Sequence, residues 1–325
     1  MKKNIAVVGC GHWGKNLVRN FSTLGALFSI CDHSNEIADQ YASQYNVKKS
    51  SFTEIINDSN IKGVVLAVPA KLHASMAIEA MNKNKHVFVE KPLAMNEVEA
   101  EAMIATAEKN KVRLMVGHLL QYHPIFKTIR EYVKAGKIGE INYIYSNRLS
   151  FGKVRTEEDV IWSFAPHDIS MILSLIGHEP EYVSTNATSI LQKNITDTAT
   201  IHLQFKSGLK SHISVSWLHP YKEHKLVIVG QSAILVFDDT KSWHEKLALY
   251  PFKVVSSKNL INLQNSGTQY VKVMEEEPLK NECQHFINVV EKDIHLLTDG
   301  AEGLRVLKVL TAASRSINKN ETVKL

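Results

Sequence analysis

Two hydrophobic patterns divide the chain. In the first third, apolar residues come in short unbroken runs: Ile5-Ala6-Val7-Val8, Ala26 to Cys31, Gly63 to Val68, His86-Val87-Phe88-Val89 and Val112 to Val116. Continuous runs of this length suit parallel strands covered on both faces. Between them lie helical stretches: Lys15 to Phe21, Leu72 to Lys83 with Ala74, Ala77, Ile78 and Met81 at helical spacing, and Glu97 to Asn110. The alternation predicts an α/β Rossmann domain, a doubly wound parallel sheet. From about His118 the period changes. Ala199, Ile201, Leu203 and Phe205 alternate with Thr200, His202 and Gln204, and Lys206-Ser207-Gly208 marks a hairpin turn. Ile213, Val215 and Trp217 resume the alternation, and Leu226 to Val229 and Ala233 to Phe237 add strands around a turn at Gly230. This predicts an α+β domain with an open, mostly antiparallel sheet, one face against helices such as Asp168 to Ile176.

The expected organisation is therefore a Rossmann domain over residues 1–118 and a substrate-binding and oligomerisation domain over 119–325, with the last helix free to pack back on the first. A chain of 325 residues suits two domains. With 44% hydrophobic and 22% charged residues it reads as a soluble globular protein. The net charge of +5 is not concentrated in any run, so neither nucleic acid nor an anionic membrane is called for, whereas an anionic metabolite is suited. Cys10, Cys31 and Cys283 lack zinc or disulfide spacing; two of them fall in the expected Rossmann strands, and a reducing cytoplasm fits. The start Met1-Lys2-Lys3 imitates an export signal, but its apolar run stops at Cys10 and reads as a strand. No apolar stretch approaches the ~18 residues of a membrane span.

Chemistry enters at Gly9-Cys10-Gly11-His12-Trp13-Gly14. In this G-x-G-x-x-G spacing Gly9 allows a tight turn, Gly11 lets a pyrophosphate approach the backbone, and Gly14 lets helix and strand pack closely. The helix that follows offers its N-terminal N–H groups and positive dipole end to phosphate. Asp32 ends the second strand, where an acid accepts the ribose hydroxyls of NAD and repels a 2′-phosphate. NAD is favoured over NADP. His12, Trp13 and His73 are expected to touch the cofactor. His118, His123 and the other histidines are not spaced as metal ligands, and no metal is required.

Several further segments resemble the glucose–fructose oxidoreductase, inositol dehydrogenase and rhizopine catabolism (Gfo/Idh/MocA) family, along essentially the whole chain. Val68-Pro69-Ala70-Lys71-Leu72-His73 resembles its P-x-x-x-H segment beside the nicotinamide ribose, and Glu90-Lys91-Pro92 matches its E-K-P signature. Asp299-Gly300-Ala301-Glu302-Gly303-Leu304-Arg305 to Val323 resembles its C-terminal helix and tail. Trp162-Ser163-Phe164-Ala165-Pro166-His167-Asp168 is similar to the W-D-x-A-P-H-D segment of members that oxidise nucleotide-linked N-acetyl sugars. Two positions depart from the pattern: Gln121 stands where arginine or lysine is usual, and Ser163 where aspartate is usual.

The resemblance implies a cis Lys91–Pro92 bond, cofactor contacts at Pro69, His73, Glu90 and Lys91, and contact between subunits, as a dimer or tetramer, through the free face of the second sheet. Lys91, after a buried strand at the carboxyl edge of the sheet, is the expected base. His167 is expected to begin a helix, with Pro166 in its first turn and a neutral imidazole that bonds the substrate hydroxyl. Asp168 reads as a carboxylate of the helix start. Asn147-Arg148, Lys153 and Arg155 read as a crossover segment carrying a guanidinium fork for a diphosphate or sugar carboxylate, with solvated loop charges as the alternative. Gln121, Arg148, Arg155, Ser163 and Asp168 complete the expected substrate side.

Three functions fit. The first is NAD-dependent oxidation of a sugar hydroxyl, C3 of a UDP-N-acetylhexosamine or its uronic acid. The second is dehydrogenation of free sugars or inositols, or ketone reduction. The third, motivated by Ser163, is a cofactor-binding regulator without turnover.

Overall fold

The computed structural model describes residues 2–152, 154–257 and 260–325, and leaves aside the side chains of 256, 257 and 260. Lys153 lies outside the described residues. The chain divides into two compact units, residues 1–122 with 276–307 and residues 123–275 with 308–325.

The first unit alternates as its apolar runs predict: β1 (Ile5–Val8), α1 (Gly14–Thr23), β2 (Leu27–Cys31), α2 (Asn35–Tyr45), β3 (Lys48–Lys49), α3 (Phe52–Asn57), β4 (Gly63–Leu66), α4 (His73–Asn82), β5 (His86–Glu90), α5 (Glu97–Lys109) and β6 (Leu114–Gly117). The strands form one parallel sheet in the order β3-β2-β1-β4-β5-β6. Strand order reverses between β1 and β4, so the crevice at their carboxyl ends is the ligand position of such a sheet. Cys10, expected in a strand, sits just beyond β1 with its thiol toward the Cys31 carbonyl.

One helix of this unit comes from far along the chain, Pro278–Lys292. Its apolar stripe of Leu279, Cys283, Phe286 and Ile287 joins the core of β1, α1 and β2. The Phe286 ring meets Phe21 and Phe88 edge-on at 6.3 and 5.6 Å. It also fills the space over Gly63, where a Cβ would come within 2.9 Å of the ring. Burying one such ring contributes about 2–3 kcal/mol.

The second unit holds α6 (Pro124–Lys134), β7 (Ile141–Phe151), α7 (Val160–Ile176), β8 (Tyr182–Thr188), β9 (Thr198–Gln204), β10 (Lys210–Ser216), β11 (Leu218–Gly230), β12 (Ala233–Asp238), β13 (Leu247–Ser257), β14 (Leu260–Asn265) and β15 (Gln269–Tyr270). The distant helix of the first unit is α8, and α9 (Gly300–Lys319) and β16 (Val323–Lys324) end the chain. The sheet runs β14-β13-β12-β11-β7-β10-β9-β8-β16, with β15 beside β13; β7 and β10 are parallel and the other pairs antiparallel. The alternation in β9 and β10 buries Ile201, Leu203, Ile213 and Val215 on the side that α7 covers.

Residues 141–151 correct one expectation. Asn147 and Arg148 do not lie on a crossover loop but in β7, the strand between β10 and β11. Its polar positions Ser146 and Arg148 obscure the alternation, because they serve a buried carboxylate described below.

Asp197, at the start of β9, gathers three donors. Its Oδ2 accepts from the amides of Ile190 and Leu191 at 2.6 and 2.8 Å, and its Oδ1 accepts from the buried Trp217 indole at 2.5 Å. Replacing Asp197 with alanine leaves these N–H groups without an acceptor and should cost about 3 kcal/mol. Urea unfolding should show this as a lower midpoint at unchanged slope; an unaltered midpoint would refute the role.

Candidate functional site

Each unit carries part of the expected chemistry. In the first, the glycine loop joins β1 to α1 at the point of strand reversal. Gly9 has φ +91°, and a Cβ there would lie 2.5 Å from the Ala67 carbonyl. A Cβ on Gly14 would overlap the Gly9 carbonyl, whereas one on Gly11 would meet nothing within 4 Å. The turn and the helix contact thus exclude side chains, and the middle glycine opens on free space. No side chain caps α1 and no acid occupies its first turn, so its positive end suits a pyrophosphate. The glycine positions therefore fit a dinucleotide.

Asp32 ends β2 with its side chain 3% exposed. One oxygen accepts the Cys10 amide at 2.6 Å, and the other accepts the Ser34 amide at 2.9 Å and lies 3.0 Å from the His33 ring. The acid is fixed against the glycine loop, as a ribose acceptor must be.

Glu90 and Lys91 leave β5 at the carboxyl edge, and the Lys91–Pro92 bond is cis. Glu90 turns inward. Its carboxylate accepts the Trp13 indole N–H at 2.5 Å and the Lys91 amide at 3.2 Å. Burial raises its pKa above the usual carboxylate range against the pull of Trp13, Lys91 and His118. Trp13 is 39% exposed while tying the glycine loop to the E-K-P turn, and His12 is exposed. Pro69 precedes a short 3-10 turn, Ala70–Leu72.

His73 is buried, with its ring between the carbonyls of Pro92 at 2.8 Å and Val68 at 3.0 Å. Desolvation lowers its pKa. Both ring nitrogens face main chain, so the role visible in this unit is to hold the E-K-P turn against the end of β4 rather than to reach a ligand. Gln121 is buried in the 3-10 turn after β6.

In the second unit α7 overturns two expectations. The helix begins at Val160, capped by Asp159, whose carboxylate accepts the amides of Ile161 and Trp162 at 3.0 Å. Pro166 is therefore inside the helix and His167 lies in its middle, away from the positive end invoked for a neutral imidazole. Asp168 is no helix-start carboxylate either. It is 1% exposed and paired with Arg148: Nε to Oδ2 at 2.5 Å, Nη2 to Oδ1 at 3.2 Å, with the Ser146 hydroxyl as a further donor. Arg148 is consequently spent on Asp168 and is not an anion fork. This buried pair locks α7 to β7, and removing one partner of such a pair costs about 3–5 kcal/mol. Ser163 is on the buried side of α7. Arg155, 53% exposed by its side chain, pairs with Glu158 at 2.9 Å.

Three groups escaped the sequence reading. Glu282 occupies the apolar stripe of α8 and is fully buried. Its position four residues before Phe286 was the available signal. His224 stands opposite Arg148 in the sheet, a register the sequence could not supply. His123, stacked on Trp243, caps α6 by accepting the Ile125 amide on Nδ1 at 3.2 Å. Among the described residues no cluster of three His, Cys, Asp or Glu could hold a metal ion, and no helix is long and apolar enough to cross a membrane.

Comparison with known proteins assigns the class. The family model "Oxidoreductase family, NAD-binding Rossmann fold" matches residues 3–118, and "GFO/IDH/MocA C-terminal domain" matches residues 126–236. The chain belongs to the GFO/IDH/MocA oxidoreductase family. It is 23% identical over 303 residues to UDP-N-acetylglucosamine 3-dehydrogenase from Acidithiobacillus ferrooxidans, covering 93% of each chain. The solved structure of that enzyme superposes with a TM-score of 0.86 over 97% of each chain. Inositol 2-dehydrogenase from Rhizobium meliloti is 22% identical, with both chains covered in full. An Agrobacterium radiobacter oxidoreductase solved with NAD+, L-tartaric acid and magnesium is 18% identical, with a TM-score of 0.83 over 100% of this chain and 98% of that one.

The environments of His123 and His224 set a pH dependence. Burial lowers both to about 4, aided for His224 by the Arg148 and Lys222 charges and for His123 by Lys246. Facing carboxylates, Asp239 for both and Asp168 for His224, oppose the shift without overcoming it. The folded protein then binds fewer protons than the unfolded chain, so stability should fall as pH drops from about 6.5 toward 4. Ring resonances of both histidines followed by NMR should titrate near 4. A midpoint near 6.5 for His123 would contradict the capping bond.

Proposed function

We propose that this chain is an NAD-dependent dehydrogenase acting on a sugar hydroxyl, specifically C3 of a UDP-N-acetylhexosamine or its uronic acid. The observation that carries the reading is Lys91, delivered by β5 to the carboxyl edge of a sheet whose glycine loop suits a pyrophosphate. The nucleotide-sugar assignment draws on the Ala165-Pro166-His167-Asp168 segment and on similarity to the Acidithiobacillus enzyme.

In this reading Gly9, Gly11 and Gly14 with the N-terminus of α1 hold the pyrophosphate, and Asp32 accepts the ribose hydroxyls, favouring NAD over NADP. Pro69 and Trp13 border the cofactor, and Glu90 anchors Trp13. The cofactor supplies a hydride acceptor when bound. Lys91, in its neutral amine form, takes the hydroxyl proton. His167 donates or accepts a hydrogen bond at the substrate, on a helix that the Asp168–Arg148 pair keeps in register. Gln121 and Ser163 contribute neutral polar groups toward the sugar, and Arg155 is the guanidinium assigned to a substrate phosphate. A cytoplasmic homodimer or homotetramer, joined through the free sheet face, completes the reading. The exposed Val254, Ile261 and Leu263 of the β13–β14 hairpin support that contact.

A second substrate class, free sugars or inositols, has one observation in its favour. Arg148 is committed to Asp168, which removes an anion-binding fork from the substrate side.

The test is NADH formation by the purified chain with NAD and a panel of UDP-sugars, free sugars and inositols. A signal with a UDP-N-acetyl sugar supports the first class; one confined to free sugars or inositols transfers the assignment to the second. On the substrate so found, Lys91→Met should lower kcat by roughly 10²–10⁴ while NAD still binds. Undiminished turnover would remove Lys91 as the base.

A further inference from the structure

Glu282 has no place in the chemistry above, yet its surroundings are unusual. It sits in the apolar stripe of α8 with no exposure, and neither carboxylate oxygen has a hydrogen-bond partner among the described residues. An ionised carboxylate in that position would cost several kcal/mol, so the group is held as the neutral acid. Glu282 lies one helical turn before Phe286, whose ring meets Phe88 at 5.6 Å. Glu90 follows Phe88 by two residues on the same face of β5, so Glu90 is the carboxyl that faces the same interior and disfavours a charge on Glu282. The Glu90 side chain points inward over β6, close enough that a Cβ on Gly117 would come within 2.9 Å of its Oε2. Glu90 carries the donors, Trp13 and the Lys91 amide, and is therefore the member suited to bear negative charge.

The other ionisable groups around the pair are accounted for. From β5 there is Lys91; His118 follows β6 and is bonded at 2.5 Å to Glu302 of α9. From α8 there is Cys283, whose thiol burial raises far above its ordinary range, and Glu277 before the helix is tied to Arg19 of α1. Lys91 and His118 act on Glu90, whereas the effect on Glu282 comes from burial and from Glu90 itself. One carboxyl is furnished with partners and the other is left without.

We propose that the Glu90 and Glu282 pair carries one proton, on Glu282, and that this proton is linked to the charge of the bound cofactor: oxidised cofactor, with its positive ring beside Lys91, favours release to solvent, and reduced cofactor favours retention. The proposal rests on the cofactor site assigned above. The step is a plain ionisation, with a carboxyl O–H bond breaking, the electron pair remaining on oxygen and no oxidant consumed. A positive charge arriving near Glu90 lowers the cost of a second negative charge on the pair, and by linkage deprotonation tightens the oxidised form relative to the reduced one. Glu282 is thus a tuning group for cofactor redox state, acting through Glu90.

The experiment is isothermal titration of the full chain with NAD+ and with NADH, from about pH 5 to about pH 9, in two buffers of different ionisation enthalpy. NAD+ should release up to one proton more than NADH. The ratio of the NADH to the NAD+ dissociation constant should rise with pH, by at most tenfold per unit. Glu282→Gln keeps the shape of the neutral acid and cannot ionise, so the ratio in that variant should rise less steeply with pH, leaving only the contribution of Lys91. A carboxylic-acid C=O infrared band, present in the parent and absent from Glu282→Gln, gives an independent signature. Equal proton release for both cofactors in the parent chain overturns the proposal even if the variant does not fold, and so does the same pH slope in Glu282→Gln. Failure to bind either cofactor overturns the assigned site instead.

Discussion

The carbonyl of Gly9 occupies the space that a side chain at residue 14 would need, and the first unit is arranged around that contact. With main chain touching main chain there, α1 lies directly against the end of β1, and Phe21 and Leu17 reach the core that α8 closes from the far end of the chain. The same closeness aims the N-terminus of α1 at the strand-reversal crevice. A scaffold requirement and a phosphate-binding requirement are met by one absence of side chains. Asp32 and Trp13 then fasten the loop from two sides, through Cys10 and through Glu90.

The second unit solves a different problem. Its long helix α7 carries a carboxylate, Asp168, into an interior where an ionised group is tolerated only with strong partners. Arg148 and Ser146 of β7 supply them. Ser146 and Arg148, alternate positions of one strand, are therefore the complement of one aspartate and not part of a surface loop, while Asn147 between them bonds Glu223. His224, opposite Arg148, is kept neutral by the same crowding of burial and positive charge.

The parallel sheet was legible because its strands are buried on both faces, leaving unbroken apolar runs, and because the glycine loop has few physical alternatives. The hairpin of β9 and β10 was legible from alternation about Gly208. What escaped depends on partners distant in sequence. β7 reads as a loop until Asp168 is known to lie over it, and α7 reads as starting around Pro166 because proline commonly opens helices. Asp159, the true cap, lies in the charged run Glu157-Glu158-Asp159, which by pattern reads equally as a solvated loop. Glu282 was visible as a lone acid in an apolar stripe, but its neighbour Glu90 lies 192 positions earlier, a separation that no local pattern spans.

The last strand has a further consequence. β16 contributes two residues to the edge of the large sheet, pairing Val323 with Val183 and Lys324 with Tyr182, while the Leu325 amide donates to the Glu181 carbonyl at 3.1 Å. Along β8 those two residues cover the start of a seven-residue edge and leave a lysine pointing outward. A short, charged margin is a poor template for a foreign strand. Where Val323 and Lys324 pair, the main-chain groups of β8 are already satisfied, and that stretch of the sheet margin is closed to a foreign strand.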